Sequence, residues 1–153
     1  MRPTVVVDSP DDPRLEQFRL RERELRPRRM PARLTRSSDE NVTPGLFVAE
    51  GDLVVERALA AGCVPRVALT DATRPSRVIE FLPPHIEVFA ATAEARRMLT
   101  GLGVALDVIA LFERPPLDDF RRLIDNARHV IVLEDVDNPT NVGAIVRSAV
   151  ALG

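Results

Sequence analysis

From residue 46 to residue 112 the chain alternates, at short intervals, between apolar runs rich in β-branched residues and amphipathic stretches of helical length. Few architectures accept that pattern, because strands joined through helical crossovers lie parallel and need cover on both faces. Residues 46–48, 64–69, 86–90 and 104–112 read as strands. Between them, residues 52–61 read as a helix closed by Gly62, and residues 75–82 as a helix stopped by Pro83 and Pro84. A third helix, residues 92–99, has Thr92 as its cap and Gly101 past its end. The expected fold is α/β: a small α/β/α sandwich around a mostly parallel or mixed sheet.

The segment ahead of this core differs. Residues 5–7 read as a short extended piece, and Asp12 before Pro13 starts a helix running to about residue 24, with Leu15, Phe18 and Leu25 near one face. Residues 27–44, rich in Pro, Arg, Ser and Asn, read as a linker. Net charge is only −2, yet all 21 basic residues are arginine, and eight of them fall within residues 19–36 beside only Glu22 and Glu24. A planar guanidinium matches phosphate and stacks on bases, which makes Arg26, Arg28, Arg29, Arg33 and Arg36 candidate RNA contacts. A solvated, arginine-rich face accounts for the same cluster equally well. An apolar share of 45% with 29% charged residues suits a globular core. No apolar run is long enough to span a bilayer and no secretory pattern opens the chain, so the expectation is a cytoplasmic protein without a membrane partner. The one cysteine, Cys63, is expected to be a buried free thiol.

Residues 129–153 read HVIVLEDVDNPTNVGAIVRSAVALG. The β-branched run 130–133 has the pattern of a strand covered on both faces. Asn138 is a helix cap and Pro139 fits the first helical position, where a missing N–H costs nothing. Val142, Ile145, Val146, Ala149 and Leu152 then recur at helical spacing as one stripe expected to be buried. Gly143 and Arg147 fall outside it, one turn apart on the same side. A bare backbone beside a guanidinium is a candidate anion or ribose-phosphate site.

The string from Asp137 to Ala149, DNPTNVGAIVRSA, resembles the first motif of the SpoU/TrmH family of RNA ribose 2′-O-methyltransferases, of the SPOUT class. A second block, GLFVAEG at residues 45–51 followed by VVERALAAG at 54–62, is similar to the start of that family's substrate-binding domain. The resemblance implies three parts: an N-terminal helix and Arg-rich linker (1–44), an RNA substrate-binding sandwich (45–114), and a linker helix (117–126) leading into the first strand and helix of a trefoil-knot catalytic domain (115–153). It further implies S-adenosylmethionine as cofactor, rRNA or tRNA as substrate, and a homodimer of the complete enzyme. Arg147 would stabilise the 2′-hydroxyl as it loses its proton, and Asn141 would hold the ribose or orient Arg147, with Asn138, Pro139 and Gly143 shaping the turn. Because arginine is a poor base, positioning and electrostatic stabilisation describe Arg147 better than proton abstraction. One departure stands out: where the family carries a basic His-Arg-Gly type triplet, this chain has Ala105-Leu106-Asp107.

In that family later strands and the knotted loop build the cofactor pocket. These residues are therefore expected to form the RNA-binding part and first motif only, to bind no cofactor alone and to be inactive alone. The alternative is a non-catalytic RNA-binding module. A nucleotide-binding doubly wound domain is disfavoured, since no G-x-G-x-x-G or phosphate-cradling lysine follows any strand. A calorimetric titration of the chain with S-adenosylmethionine is expected to give no tight, stoichiometric binding; such binding would contradict the expectation.

Overall fold

The structure, a computed structural model, describes residues 2–19, 25, 45–100, 104–116, 121, 124–125 and 127–153. They fall into two compact units, Met1–Pro116 and Leu117–Gly153.

The first unit is built on a five-stranded sheet. Its strands are β1 (Val5–Val7), β2 (Leu46–Glu50), β3 (Pro65–Asp71), β4 (Glu87–Ala91) and β5 (Val108–Glu113), in the spatial order β1-β4-β3-β5-β2. β1, β4 and β3 run parallel, whereas β5 is antiparallel to both β3 and β2. The sheet is therefore mixed, and the α/β expectation holds.

Side chains alternate across it with period two. Val67, Leu69, Phe89, Ile109 and Leu111 face one layer, made by the 3-10 helix Pro13–Arg19 and α2 (Ala93–Thr100). Ala68, Val88, Val108, Ala110 and Phe112 face the other, made by α1 (Asp52–Ala60) and the 3-10 helix Arg77–Phe81. Both faces are dry, which is why the central strands read as continuous apolar runs rather than as alternation. Cys63 is half-buried against the second layer.

Three elements of the first unit differ from expectation. Residues 75–82 form a short 3-10 helix, Arg77–Phe81, with Ser76 Oγ accepting from the Val78 amide at 3.1 Å. Between that cap and Pro83 there is room for too few i→i+4 bonds to sustain an α-helix. The Pro13 helix is likewise 3-10 and ends at Arg19; residues 20–24 lie outside the described set, although Leu25 is buried. The last strand begins at Val108 rather than 104: ahead of it Leu106 O accepts from Arg96 Nη1 at 2.6 Å, and Asp107 O accepts from the Asp71 amide of β3 at 3.2 Å and from Thr70 Oγ1 at 3.0 Å.

Arg96 is 2% exposed, buried on α2, and its Nη2 donates to Asp71 Oδ2 at the end of β3. Asp71 Oδ1 also accepts from the Thr73 hydroxyl and amide and from the Arg74 amide. One carboxylate thus ties a strand end, a loop and a helix together.

In the second unit, α3 (Pro139–Leu152) is the expected helix. The expected strand at 130–133 does not form: Val130, Ile131, Val132 and Leu133 are 54, 50, 84 and 39% exposed, and no strand pairs with them among the described residues. β-branching supplies a preference for extension, but a ladder needs a neighbour. Of the helix expected over 117–126, Arg121, Ile124 and Asp125 are described, and they are helical.

Burial pushes the Asp71 carboxyl up, but its bonds from Thr73 and the Arg74 amide, with the Arg96 charge, outweigh that and hold it at about 2. A carboxyl held low contributes stability above its ordinary range and loses it as pH falls through the folded value. Urea unfolding is expected to show stability declining between about pH 4 and about pH 2 partly through this group. Asp71→Ala at neutral pH is expected to cost about 3–5 kcal/mol by leaving Arg96 buried without its carboxylate; an unchanged midpoint would contradict this.

A candidate site at the start of the last helix

Residues 134–138, Glu-Asp-Val-Asp-Asn, turn the chain into α3. Asp135 has φ of 54°, in the left-handed region that Asp tolerates better than most residues. Asn138 then sits extended, at φ −79° and ψ 113°, and its Oδ1 accepts from the Thr140 amide at 2.9 Å. Its carbonyl accepts from the Asn141 and Val142 amides at 3.0 and 3.1 Å. Pro139 follows in the first turn, as its fixed φ and missing N–H favour. Asn138 and Pro139 therefore occupy the positions expected of them.

A turn later the chain leaves a bare spot. A Cβ built on Gly143 would stand 3.2 Å from Arg147 Nη1 and 4.0 Å from its Cζ, so the guanidinium lies over the glycine backbone. Asn141 and Arg147 are both exposed. Among the described residues the Arg147 side chain makes no ion pair or hydrogen bond. Helical spacing thus brings Gly143 and Arg147 together and puts Asn141 at the helix start. The stripe expected to be buried is only partly so: Val142, Ile145 and Ala149 are half-buried, whereas Val146 and Leu152 are 48 and 89% exposed.

Just ahead of the helix a cavity of about 350 Å³ is lined by Leu133, Asp135, Val136 and Asp137. The helix N-terminus carries partial positive charge and Arg147 a full one, a pairing that suits an anion or a ribose oxygen. The two aspartates suit hydroxyl or amine donors. The positive φ at Asp135 was not read from the sequence; an Asp within a turn preceding a cap was its only signal.

The other expected contacts fare differently. Arg26, Arg28, Arg29, Arg33 and Arg36 lie outside the described residues. The block at 45–51 builds β2 and the turn into α1, where Gly51 has φ of 84° and its amide donates to Val108 O at 2.9 Å. Burial raises the carboxyl of Glu50 beside it. At 105–107, backbone carbonyls are spent on the Arg96 and Thr70 bonds, so this loop serves the interior.

No family model matches the chain. Proteins named uncharacterized tRNA/rRNA methyltransferase in Mycobacterium bovis and Mycobacterium tuberculosis are 31% identical to it over 148 residues, covering 95% of this chain and 48% of theirs. The chain spans about half the length of the curated relatives it matches. A solved RNA 2′-O ribose methyltransferase shares the fold, with a TM-score of 0.59 at 18% identity over 97% of this chain and 53% of that one. The SpoU methyltransferase AviRb from Streptomyces viridochromogenes, solved with its cofactor AdoMet, gives a TM-score of 0.52 at 27% identity, over 71% of this chain and 42% of its own. The likeness that the sequence carries is matched by relatives named as tRNA/rRNA methyltransferases and, in fold, by the SpoU methyltransferase AviRb.

Asn138→Ala is expected to cost the helix about 1 kcal/mol through loss of its cap, read as faster hydrogen exchange of the Thr140 amide. Gly143→Ala is expected to strengthen the helix by about 0.5–1 kcal/mol while displacing the Arg147 guanidinium, read as a changed Arg147 Nε resonance. An Arg147 signal that ignores the added methyl would contradict the overlay.

Proposed function

We propose that this chain, a relative of proteins named tRNA/rRNA methyltransferases and alike in fold to SpoU enzymes, supplies the RNA-binding part and first catalytic element of an S-adenosylmethionine-dependent RNA ribose 2′-O-methyltransferase. The observation that carries the reading is the Arg147 guanidinium lying over Gly143, on a helix opened by Asn138 and Pro139. The partition follows the expected boundaries: residues 1–44 as helix and Arg-rich linker, 45–114 as substrate-binding domain, 115–153 as linker and start of the catalytic domain.

A ribose 2′-hydroxyl holds its proton tightly and is a weak nucleophile at neutral pH. Arg147, exposed and unpaired among the described residues, would stabilise the oxygen as negative charge grows on it, with the α3 N-terminus adding partial charge. Asn141, in the first turn of the same helix, would fix the sugar by accepting from or donating to its hydroxyls. Gly143 leaves room for the sugar to approach the backbone.

S-adenosylmethionine, when bound, supplies the electrophilic methyl carbon. The cavity before α3 fits part of such a group: Leu133 and Val136 give apolar wall, and Asp135 and Asp137 accept from amine or ribose hydroxyls. Four lining residues make one wall rather than an enclosure. Arg26, Arg28, Arg29, Arg33 and Arg36 would hold RNA phosphates, and the complete enzyme would act as a cytoplasmic homodimer. The non-catalytic module is the weaker reading, since relatives named as methyltransferases match along 95% of the chain.

Filter binding of rRNA and tRNA fragments over a salt series tests the RNA half: affinity is expected to fall steeply with salt, and a flat response would contradict it. For the chemistry, methyl transfer by a polypeptide of the relatives' full length is expected to drop about 100-fold or more in Arg147→Ala, chiefly in kcat. Undiminished transfer would remove Arg147 from the mechanism.

A further inference from the structure

Phe81 is out of place for its chemistry. Of the other phenylalanines described, Phe18, Phe89 and Phe112 are buried, and Phe47 stacks on Phe112 at 5.5 Å between ring centroids. Phe81, closing the second 3-10 helix, is 71% exposed. The turn that carries it is nonetheless held firmly. The Arg2 amide donates to Glu80 Oε1 at 3.0 Å, and the Arg2 guanidinium donates to Leu82 O at 2.6 Å, to Pro83 O at 2.7 Å and to Ile86 O. Val78, Ile79 and Leu82 on either side are buried, and Pro83-Pro84 stiffens the exit. An aromatic ring is thus projected outward on a clamped backbone, at low entropic cost for whatever meets it.

The surroundings point to the kind of partner. Arg77 is exposed on the same short helix and makes no side-chain hydrogen bond or ion pair among the described residues. A cleft of about 220 Å³ opens between Arg77, Arg2, Thr4 and Glu80. His85 is exposed just past the turn. Arg77 and Phe81 open and close the same short helix, and an exposed ring with an uncommitted guanidinium on one element offers what an unpaired RNA base and its phosphate require: stacking from the ring and charge from the guanidinium.

We propose that Phe81 is a stacking platform for an unpaired base of bound RNA, with Arg77 holding the adjacent phosphate. This rests on the RNA-binding reading above and adds to it a contact made by residues of the sheet domain. It also supplies what the 105–107 loop, turned to internal bonds, does not.

The sequence makes the test direct, since the chain contains no Trp and no Tyr. Phe81→Trp therefore introduces a sole indole, and titration of the full chain with a single-stranded oligoribonucleotide is expected to quench its emission saturably. Anisotropy of a labelled single strand is expected to show affinity falling roughly five- to hundredfold in Phe81→Ala and Phe81→Leu and being retained in Phe81→Trp. Arg77→Ala should flatten the log–log salt slope by about one unit. Because Phe81 is exposed, thermal unfolding of these variants should match wild type, separating lost contact from lost fold. Binding by Phe81→Leu equal to wild type, or unquenched emission in Phe81→Trp at saturating RNA, would overturn the proposal alone and leave the ring to a protein partner. Failure of the wild-type chain to bind RNA would overturn it together with the reading beneath it.

Discussion

The first unit is held in register by a charge that it hides. Arg96 heads the fully buried side chains by size, and its guanidinium reaches both the Asp71 carboxylate and the Leu106 carbonyl. A buried guanidinium costs several kcal/mol to desolvate, and here Nη1 and Nη2 are matched by the Leu106 carbonyl and the Asp71 carboxylate while Nε is buried without a hydrogen-bond partner. Here the matching fixes the end of β3, the start of the 72–76 loop, one face of α2 and the chain entering β5. Thr70 extends it, accepting from the Ser76 amide at 2.9 Å while donating to Asp107 O. Ser76 in turn donates to Asp52 Oδ1 at 2.7 Å, which brings in the first residue of α1. The loops at this end of the sheet are therefore positioned by polar bonds, and the apolar layers above and below can be filled with plain Val, Leu and Ala.

The second unit works by the opposite economy. Its helix starts where local chemistry dictates, at Asn138 and Pro139. What it presents is a set of unspent groups: exposed Asn141, exposed Arg147, and apolar residues at 130–133 and along α3 that stand in water. Unspent polar groups over a glycine suit a ligand; unspent apolar ones suit further protein. Relatives about twice as long as this chain are consistent with both.

Local signals were legible and long-range ones were not. The Asn138 cap, Pro139, the Gly143–Arg147 pairing at helical spacing, and Thr92 as the cap of α2, with its Oγ1 accepting from Ala95 N at 3.2 Å, all follow from neighbours a few residues apart. Strand identity in the sandwich was readable because both sheet faces are apolar. The start of β5 was not, since Leu106 O and Asp107 O bond side chains ten and thirty-seven residues away, Arg96 and Thr70. A strand at 130–133 was read from propensity, and propensity does not specify a partner. Arg2 is the clearest omission: nothing in its sequence neighbourhood announces a guanidinium serving carbonyls about eighty residues away.

The central claim is that the start of α3 meets a ribose-phosphate. Nitrogen-15 NMR of the protein titrated with a short single-stranded RNA observes it at single groups. The amides of Asn141, Val142 and Gly143 and the Arg147 Nε should shift together and saturate at one RNA concentration. If those resonances stay fixed while signals elsewhere in the chain move, RNA binds without the helix, and the account of Arg147 and Gly143 is wrong.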